Sequence, residues 1–283
     1  MDYDRAVETA PRGWRHFTIS DLDRLPAGVR DHELTRIPHA ERDLLAAGDG
    51  EVIDRILRAF FWTFAYHLEP ARWDELALAE PIHPSLLATL PITPGRVLEI
   101  GAGSGRLTTH LAERCGRLIA IEPSAGLARL LRRRLRDIHV VSAWAEALPL
   151  PDGWSELTVA CGLLGPETTV LSELERVTKA GGEIVLISPE QPGWFEANGW
   201  RHLSFDPQPA PPHDDWIDNF FGPLHPPTNW CRGGTQGPPR TKGSRDRPFR
   251  PRATSVMAAR LSRSGDPPLR VRHSYPFPGR RRG

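Results

Sequence analysis

Three glycines at alternate positions, Gly101, Gly103 and Gly105, follow the apolar run that begins at Val97, and an acid, Glu99, stands two residues before the first of them. Glycine accepts backbone angles and close approaches that a Cβ forbids. Strand, glycine turn and helix in this order therefore form a loop that can lie against a nucleotide cofactor. Spacing narrows the ligand. A dinucleotide loop is usually GxGxxG, with the pyrophosphate held at the helix N-terminus. Here the pattern is GxGxG, and Glu99 would repel a pyrophosphate. It is suited instead to ordering the loop or facing the cationic amino-acid end of a sulfonium cofactor, which favours S-adenosylmethionine over NAD.

Further residues fall into place downstream. A short strand expected over Arg117–Ile121 ends in Glu122, placed to accept hydroxyls of a ribose as in other doubly wound nucleotide sites. Pro123 follows, and Ser124 suits the N-cap of a helix over 125–136. Then come VVSAWAEALPLPDGWSEL, with a Pro-Asp-Gly turn, and ELERVTKAGGEIVLISP, Glu173 to Pro189, with a Gly-Gly turn before an apolar strand. Taken in order, these segments resemble the class I S-adenosylmethionine-dependent methyltransferases over Thr93 to Pro189. Within that family the chain is similar to the small-molecule type and its ubiquinone/menaquinone-biosynthesis group.

The resemblance implies an α/β fold, a doubly wound, mostly parallel sheet of Rossmann-like methyltransferase type. It also implies a distribution of cofactor contacts. Glu99, Gly101, Ala102, Gly103 and Gly105 would hold the methionine end, Glu122 and Pro123 the ribose, and Trp144, Ala145 and Glu146 the adenine. Cys161, which ends the apolar run from Leu157, reads first as a small buried residue, with its backbone available to line the transfer site. One departure stands out. Trp144 occupies the position where the family usually has an aspartate that hydrogen-bonds the adenine amino group. An indole stacks but cannot accept that bond. Losing one charged hydrogen bond costs about 1.5 to 3 kcal/mol, so weaker binding or a reorganised adenine pocket is expected.

The function implied is methyl transfer to a small-molecule acceptor. The alternative is a non-catalytic S-adenosylmethionine-binding or regulatory protein that retains the fold, a reading suggested by Trp144. No catalytic residue can be named. Tyr66, His67, His202 and His213 are candidate bases by side-chain type alone. An oxygen acceptor needs such a base, whereas an amine or carbanion can do without one. The sequence has no metal-ligand spacing. Its three cysteines, Cys115, Cys161 and Cys231, are far apart, which suggests a reducing compartment. With no apolar core in the first thirty residues and no apolar stretch long enough to span a bilayer, a soluble cytoplasmic protein is expected, with no membrane partner.

Elements outside the resemblance must shape the rest of the site. The chain divides by sequence into an N-terminal extension, 1–92, a cofactor domain, 93–206, and a Pro/Arg/Gly-rich, largely irregular region, 207–283. In the extension, Glu51 to His67 reads as one helix capped by Asp49, with Glu51–Arg55 and Asp54–Arg58 pairs and an apolar stripe of Ile53, Leu57, Phe60 and Phe64. It serves either as packing against the sheet or as a lid that brings Trp62, Tyr66 and His67 to the substrate. After the fifth strand, Gly193–Asn198 and Gly199–Phe205 suit a short helix and a sixth strand, while a seventh is hard to find.

Net charge is +1, yet Cys231–Gly283 holds fourteen arginines and lysines against Asp246 and Asp266, or +12, which leaves −11 for the first 230 residues. This basic tail reads as disordered, with at most a short helix or poor strand at Ser255–Arg263. A nucleic-acid arm competes with a shifted reading frame as its explanation, and the latter is preferred. Deletion after Trp230 is then expected to leave folding unchanged.

Overall fold

The computed structural model describes residues 3–235 apart from 92 and 163, and the tail features expected at 255–263 lie outside that range. Among the described residues seven α-helices come first: α1 (Tyr3–Thr9), α2 (Ala27–Arg36), α3 (His39–Ala46), α4 (Gly50–Ala59), α5 (Phe61–Leu68), α6 (Pro70–Ala79) and α7 (Pro84–Thr89). An alternating region follows: β1 (Thr93–Ile100), α8 (Thr108–Ala112), β2 (Cys115–Ile121), α9 (Ala125–Arg134), β3 (His139–Val141), β4 (Ser155–Cys161), α10 (Thr168–Val177) and β5 (Thr178–Ile187). The last described elements are α11 (Pro192–Ala197), β6 (Arg201–Ser204), α12 (Asp215–Phe221) and β7 (Asn229–Gly234).

The strands make one sheet in the order β3-β2-β1-β4-β5-β7-β6, parallel from β3 to β5, with β7 antiparallel to both neighbours. Central strands buried on both faces are mostly apolar, with Glu99 of β1 and Ser155 and Thr158 of β4 as buried polar exceptions, and both faces are filled. On one, Leu98, Ile100, Ile121, Ala160 and Leu186 pack with Val170, Leu174 and Val177 of α10 and with Phe195. On the other, Val97, Val159, Val185 and Ile187 meet Leu107 and Leu111 beside α8 and Leu86 and Leu87 of α7. The fold is a doubly wound α/β sheet, and its strand order reverses between β1 and β4, where such sheets open a ligand crevice at the carboxyl ends.

The helical extension differs from the single helix expected over 51–67. Asp49 does cap its start, accepting from the Glu51 and Val52 amides at 3.0 Å. The helix then breaks at Phe60, whose backbone leaves helical geometry (φ −103°, ψ 7°). Phe60, Phe61 and Phe64 are all fully buried, and the bend between α4 and α5 lets rings on different sides of the helix enter one core with Trp14, Phe17, Phe220 and Phe221. The expected ion pairs are also replaced. Arg55 reaches Glu41 and Asp4, and Arg58 lies over the Trp14 ring at 4.9 Å. Long-range partners outcompete exposed i,i+4 pairs, which are worth only a few tenths of a kcal/mol.

The segment after 206 contributes regular structure to both layers. α12 completes the aromatic core of the extension, and β7 inserts between β5 and β6, burying Trp230 and Cys231. A cut after Trp230 would therefore pass through β7, which argues against the expectation that it spares folding.

Candidate functional site

At the end of β1 the chain turns through Gly101 and Gly103, both left-handed (φ 65° and 58°). Gly101 is exposed, and a Cβ placed there would meet no atom within 4 Å, so the loop presents bare backbone toward open space. Gly105 serves another purpose: a Cβ on it would sit 2.8 Å from Leu131 Cδ1, so its absence lets the loop pack against α9. Hydrogen bonds hold the turn. The Ala102 amide donates to Ile121 O and the Gly105 amide to Ala102 O, each at 3.0 Å.

Glu122 lies directly after β2, beside this loop. Its carboxylate accepts from the Gly103 amide at 2.7 Å, the Ser124 amide at 2.6 Å and the Tyr66 hydroxyl at 2.5 Å to each oxygen. The residue is 0% exposed. Burial pushes its pKa up, against the pull of the Tyr66, Ser124 and Gly103 hydrogen bonds. Ser124 caps α9, accepting from the Leu127 amide at 3.4 Å, and its hydroxyl donates to Tyr66 O at 3.2 Å. Pro123 is half-buried between the two.

Glu99 points into the sheet interior and is 1% exposed. Burial pushes its pKa up to about 8; Thr108 and Arg106 oppose the shift and Glu122 adds to it. Burial thus favours its neutral form, which can donate a proton in a hydrogen bond, over the anion. Its Oε2 and Ser104 Oγ are buried without a partner, and Thr108 Oγ1 has none but the Glu99 carboxyl beside it. Buried polar atoms usually find partners, so orphans beneath a bare glycine loop fit a polar ligand. The donor set thus suits the expected cofactor: exposed loop backbone, unsatisfied polar atoms below it, and a carboxylate beside it that accepts hydroxyls.

Of the other expected contacts, Trp144 and Cys161 have partners near the loop. Trp144, 49% exposed, leans on the His67 ring at 6.0 Å between centroids. Ala145 is half-buried and Glu146 exposed in the turn that follows. Cys161, half-buried at the end of β4, accepts from Arg106 Nη2 at 3.7 Å, and burial raises its thiol pKa. Of the candidate bases, Tyr66 and His67 reach the crevice. His202 lies in the edge strand β6, and His213 bonds Pro211 O and Asp218 near α12. Burial lowers the His67 pKa to about 4, so its imidazole is neutral and weakly basic. Trp62 turns away and stacks on Phe221.

Two residues went unnoticed in the sequence. Arg106 joins Glu80 to Cys161 across the mouth, while the other Glu80 oxygen takes the His225 amide at 2.7 Å. Trp73 lies over the loop, its Nε1 3.9 Å from where a Gly103 Cβ would be, and meets the Tyr66 ring edge-on at 5.0 Å. A cation directly after the third glycine was a readable signal for Arg106. An aromatic residue in a helix of ordinary composition gave none for Trp73. Among the described residues no cluster of His, Cys, Asp and Glu could hold a metal, and no helix is long and apolar enough to cross a membrane.

Comparison with known proteins places this geometry. The profile of a methyltransferase domain family matches residues 97–182. A demethylmenaquinone methyltransferase of Beutenbergia cavernae is 35% identical over 117 residues, 39% of this chain and 49% of that protein. An uncharacterized methyltransferase of Mycobacterium tuberculosis is 32% identical over 116 residues, 39% and 47% of the two chains. A ubiquinone/menaquinone biosynthesis C-methyltransferase of Burkholderia cenocepacia is 34% identical over 112 residues, 36% and 46%. The chain spans about half the length of the curated relatives it matches.

Proposed function

We propose that this chain, whose residues 97–182 are a class I S-adenosylmethionine-dependent methyltransferase domain, transfers the methyl group of that cofactor to a small-molecule acceptor. The observation that carries the reading is the bond between the Gly103 amide and Glu122, which joins the glycine loop after β1 to the acid after β2 at the carboxyl edge of the sheet. S-adenosylmethionine, when bound, supplies an electrophilic methyl on a sulfonium sulfur. This chain's residues supply binding and enclosure. Gly101 to Gly105 offer backbone to the amino-acid end, with neutral Glu99 and Thr108 below. Glu122 accepts the ribose hydroxyls, and Trp144 with Ala145 and Glu146 borders the adenine. Arg106, Glu80 and Cys161 frame the mouth.

Tyr66 of α5 and Trp73 of α6 lie against Glu122 and the loop; closed on a bound cofactor, these helices would exclude water, which protects a reactive sulfonium and strengthens the polar contacts within. His67, with a pKa near 4, is too weak a base to take a proton from an ordinary alcohol at neutral pH. The acceptor that suits this site is therefore nucleophilic as it binds, an amine or a stabilised carbanion. The quinone-precursor enzymes among the relatives favour a small acceptor of the second kind. Three unpaired cysteines suit a cytoplasmic setting.

A second reading, a non-catalytic binding protein, is favoured by one observation: the Tyr66 phenol closes the face of Glu122 on which a ribose would sit. Calorimetric titration with S-adenosylhomocysteine tests the common premise. Saturable one-to-one binding, weakened at least tenfold by Glu122→Ala, is expected; a folded protein that gives no heat would sink both readings. Formation of S-adenosylhomocysteine from the cofactor in the presence of an acceptor panel then separates enzyme from binder.

A further inference from the structure

A carboxylate has two oxygens and about four lone-pair sites. At Glu122 the inner sites are taken by the Gly103 and Ser124 amides, which belong to the loop and to the start of α9 and cannot leave without unmaking the crevice. The remaining face belongs to Tyr66, whose single hydroxyl is shared between both oxygens at 2.5 Å. With Glu122 wholly buried, no outside hydroxyl can touch it while the phenol stays. A vicinal diol carries two donors and can give each oxygen its own, where the phenol must divide one. Phenol and diol are chemically equivalent guests for the same face, and the diol is the better matched.

Tyr66 is also placed to move. It sits in the last turn of α5, next to the junction at Glu69, where the backbone leaves helical geometry (φ −120°, ψ 53°) before α6 begins. Its ring is held by edge contacts with Trp73 and His67, and Trp73 in turn lies over Gly103. The phenol, the indole above the loop and the acid beside it thus form one closed stack over the ribose position.

We propose that Tyr66 is a positioning residue that gates the cofactor site: its phenol stands in for the ribose diol on Glu122, and cofactor binding exchanges one for the other, swinging the end of α5 off the crevice. This rests on the methyl-donor reading above. In the free protein the phenol keeps the acid dry and its partner count complete. In the bound protein the diol takes over, and the displaced α5–α6 junction becomes the wall of the acceptor pocket. Affinity is set by the difference between two sets of hydrogen bonds and is lower than the diol contact alone would give.

Tyr66→Phe removes the competing donor and keeps the ring contacts. Titrated with S-adenosylhomocysteine, the variant should bind about five- to thirtyfold more tightly than the natural chain. With the 2′,3′-dideoxy analogue, which must displace the phenol without replacing its bond to Glu122, the gain should be at least as large. A purely structural role of Tyr66 would instead leave unchanged or weaken the binding of both ligands. Tyr66→Ala, checked for a native circular dichroism spectrum, should repeat the gain. Equal affinity of Tyr66→Phe and the natural chain for S-adenosylhomocysteine, or weaker binding by the variant, overturns the exchange while leaving the cofactor reading intact. No binding by either folded protein overturns the cofactor reading, and the exchange with it.

Discussion

Glu99 shows what a sequence motif can and cannot say about a single residue. Its position two before the glycines is readable; its charge is not, because charge depends on burial, and only the folded neighbours determine that. With its pKa raised from 4.5 to about 8, the folded protein binds a proton that the unfolded chain has already released between those values. Its contribution to stability is therefore fully present below about pH 4.5 and is lost as the pH rises through about 8. Each tenfold difference in proton affinity between the folded and unfolded chain is worth about 1.4 kcal/mol, so the change is on the order of 5 kcal/mol. Urea unfolding of the natural chain should show this decline between pH 5 and pH 8.5, and Glu99→Gln, which cannot ionise, should flatten it. An equal pH slope in both proteins would mean that Glu99 is charged in the folded state. The placement of Glu122 beside the glycine loop was legible for the opposite reason: it follows from backbone and spacing, which sequence carries directly. Tyr66 was legible as a candidate base and as a residue of a lid helix, but not as the partner of Glu122, which lies fifty-six residues away.

At the scale of elements, β1, β2, β4 and β5 were readable because each ends in a mostly apolar run, Val97–Ile100, Leu118–Ile121, Leu157–Cys161 and Ile184–Ile187, although β5 begins before the Gly-Gly pair that read as a turn. The extension was not, because its helices are fixed by one another. α5 and α6 meet α9 at a tight seam, where a Cβ on Gly126 would come 2.6 Å from Pro70 Cγ. That glycine lies in the first turn of α9, directly downstream of Ser124 and Glu122, so the seam sets the height of the helical cover over the crevice. Gly126→Ala should wedge it open and destabilise the fold by about 1 to 3 kcal/mol despite alanine's better helix propensity. Gly28→Ala in α2, where nothing lies within 4 Å, should instead gain about 0.5 to 1 kcal/mol. Denaturant midpoints of the two variants should move in opposite directions; matching shifts would mean that α6 does not rest on α9.

Over the whole molecule, the chain's later segment ties two layers that sequence reading kept apart. α12 carries Phe220 and Phe221 into the aromatic core of the extension, and eight residues later β7 enters the sheet. A boundary at 206 looked natural because proline-rich stretches usually separate domains, and because NWCRGG holds only two apolar residues. A strand so short is specified by its neighbours rather than by its own pattern. Here β5 and β6 supply the ladder, Trp230 donates to Thr89 Oγ1 of α7 at 2.8 Å, and Arg232 pairs with Glu183 on β5. Truncation after Trp230 removes Cys231 to Gly234, uncovers the edge of β5 and breaks the Arg232–Glu183 pair. It should lower the melting temperature by at least about 5 °C, because more than about 2 kcal/mol of ladder and burial is lost and each kcal/mol is worth about 2 to 4 °C in a domain this size. Truncation after Thr235 keeps β7 whole and should cost less. Scanning calorimetry of the two shortened chains side by side decides it: equal melting temperatures would mean that the sheet closes without the second half of β7.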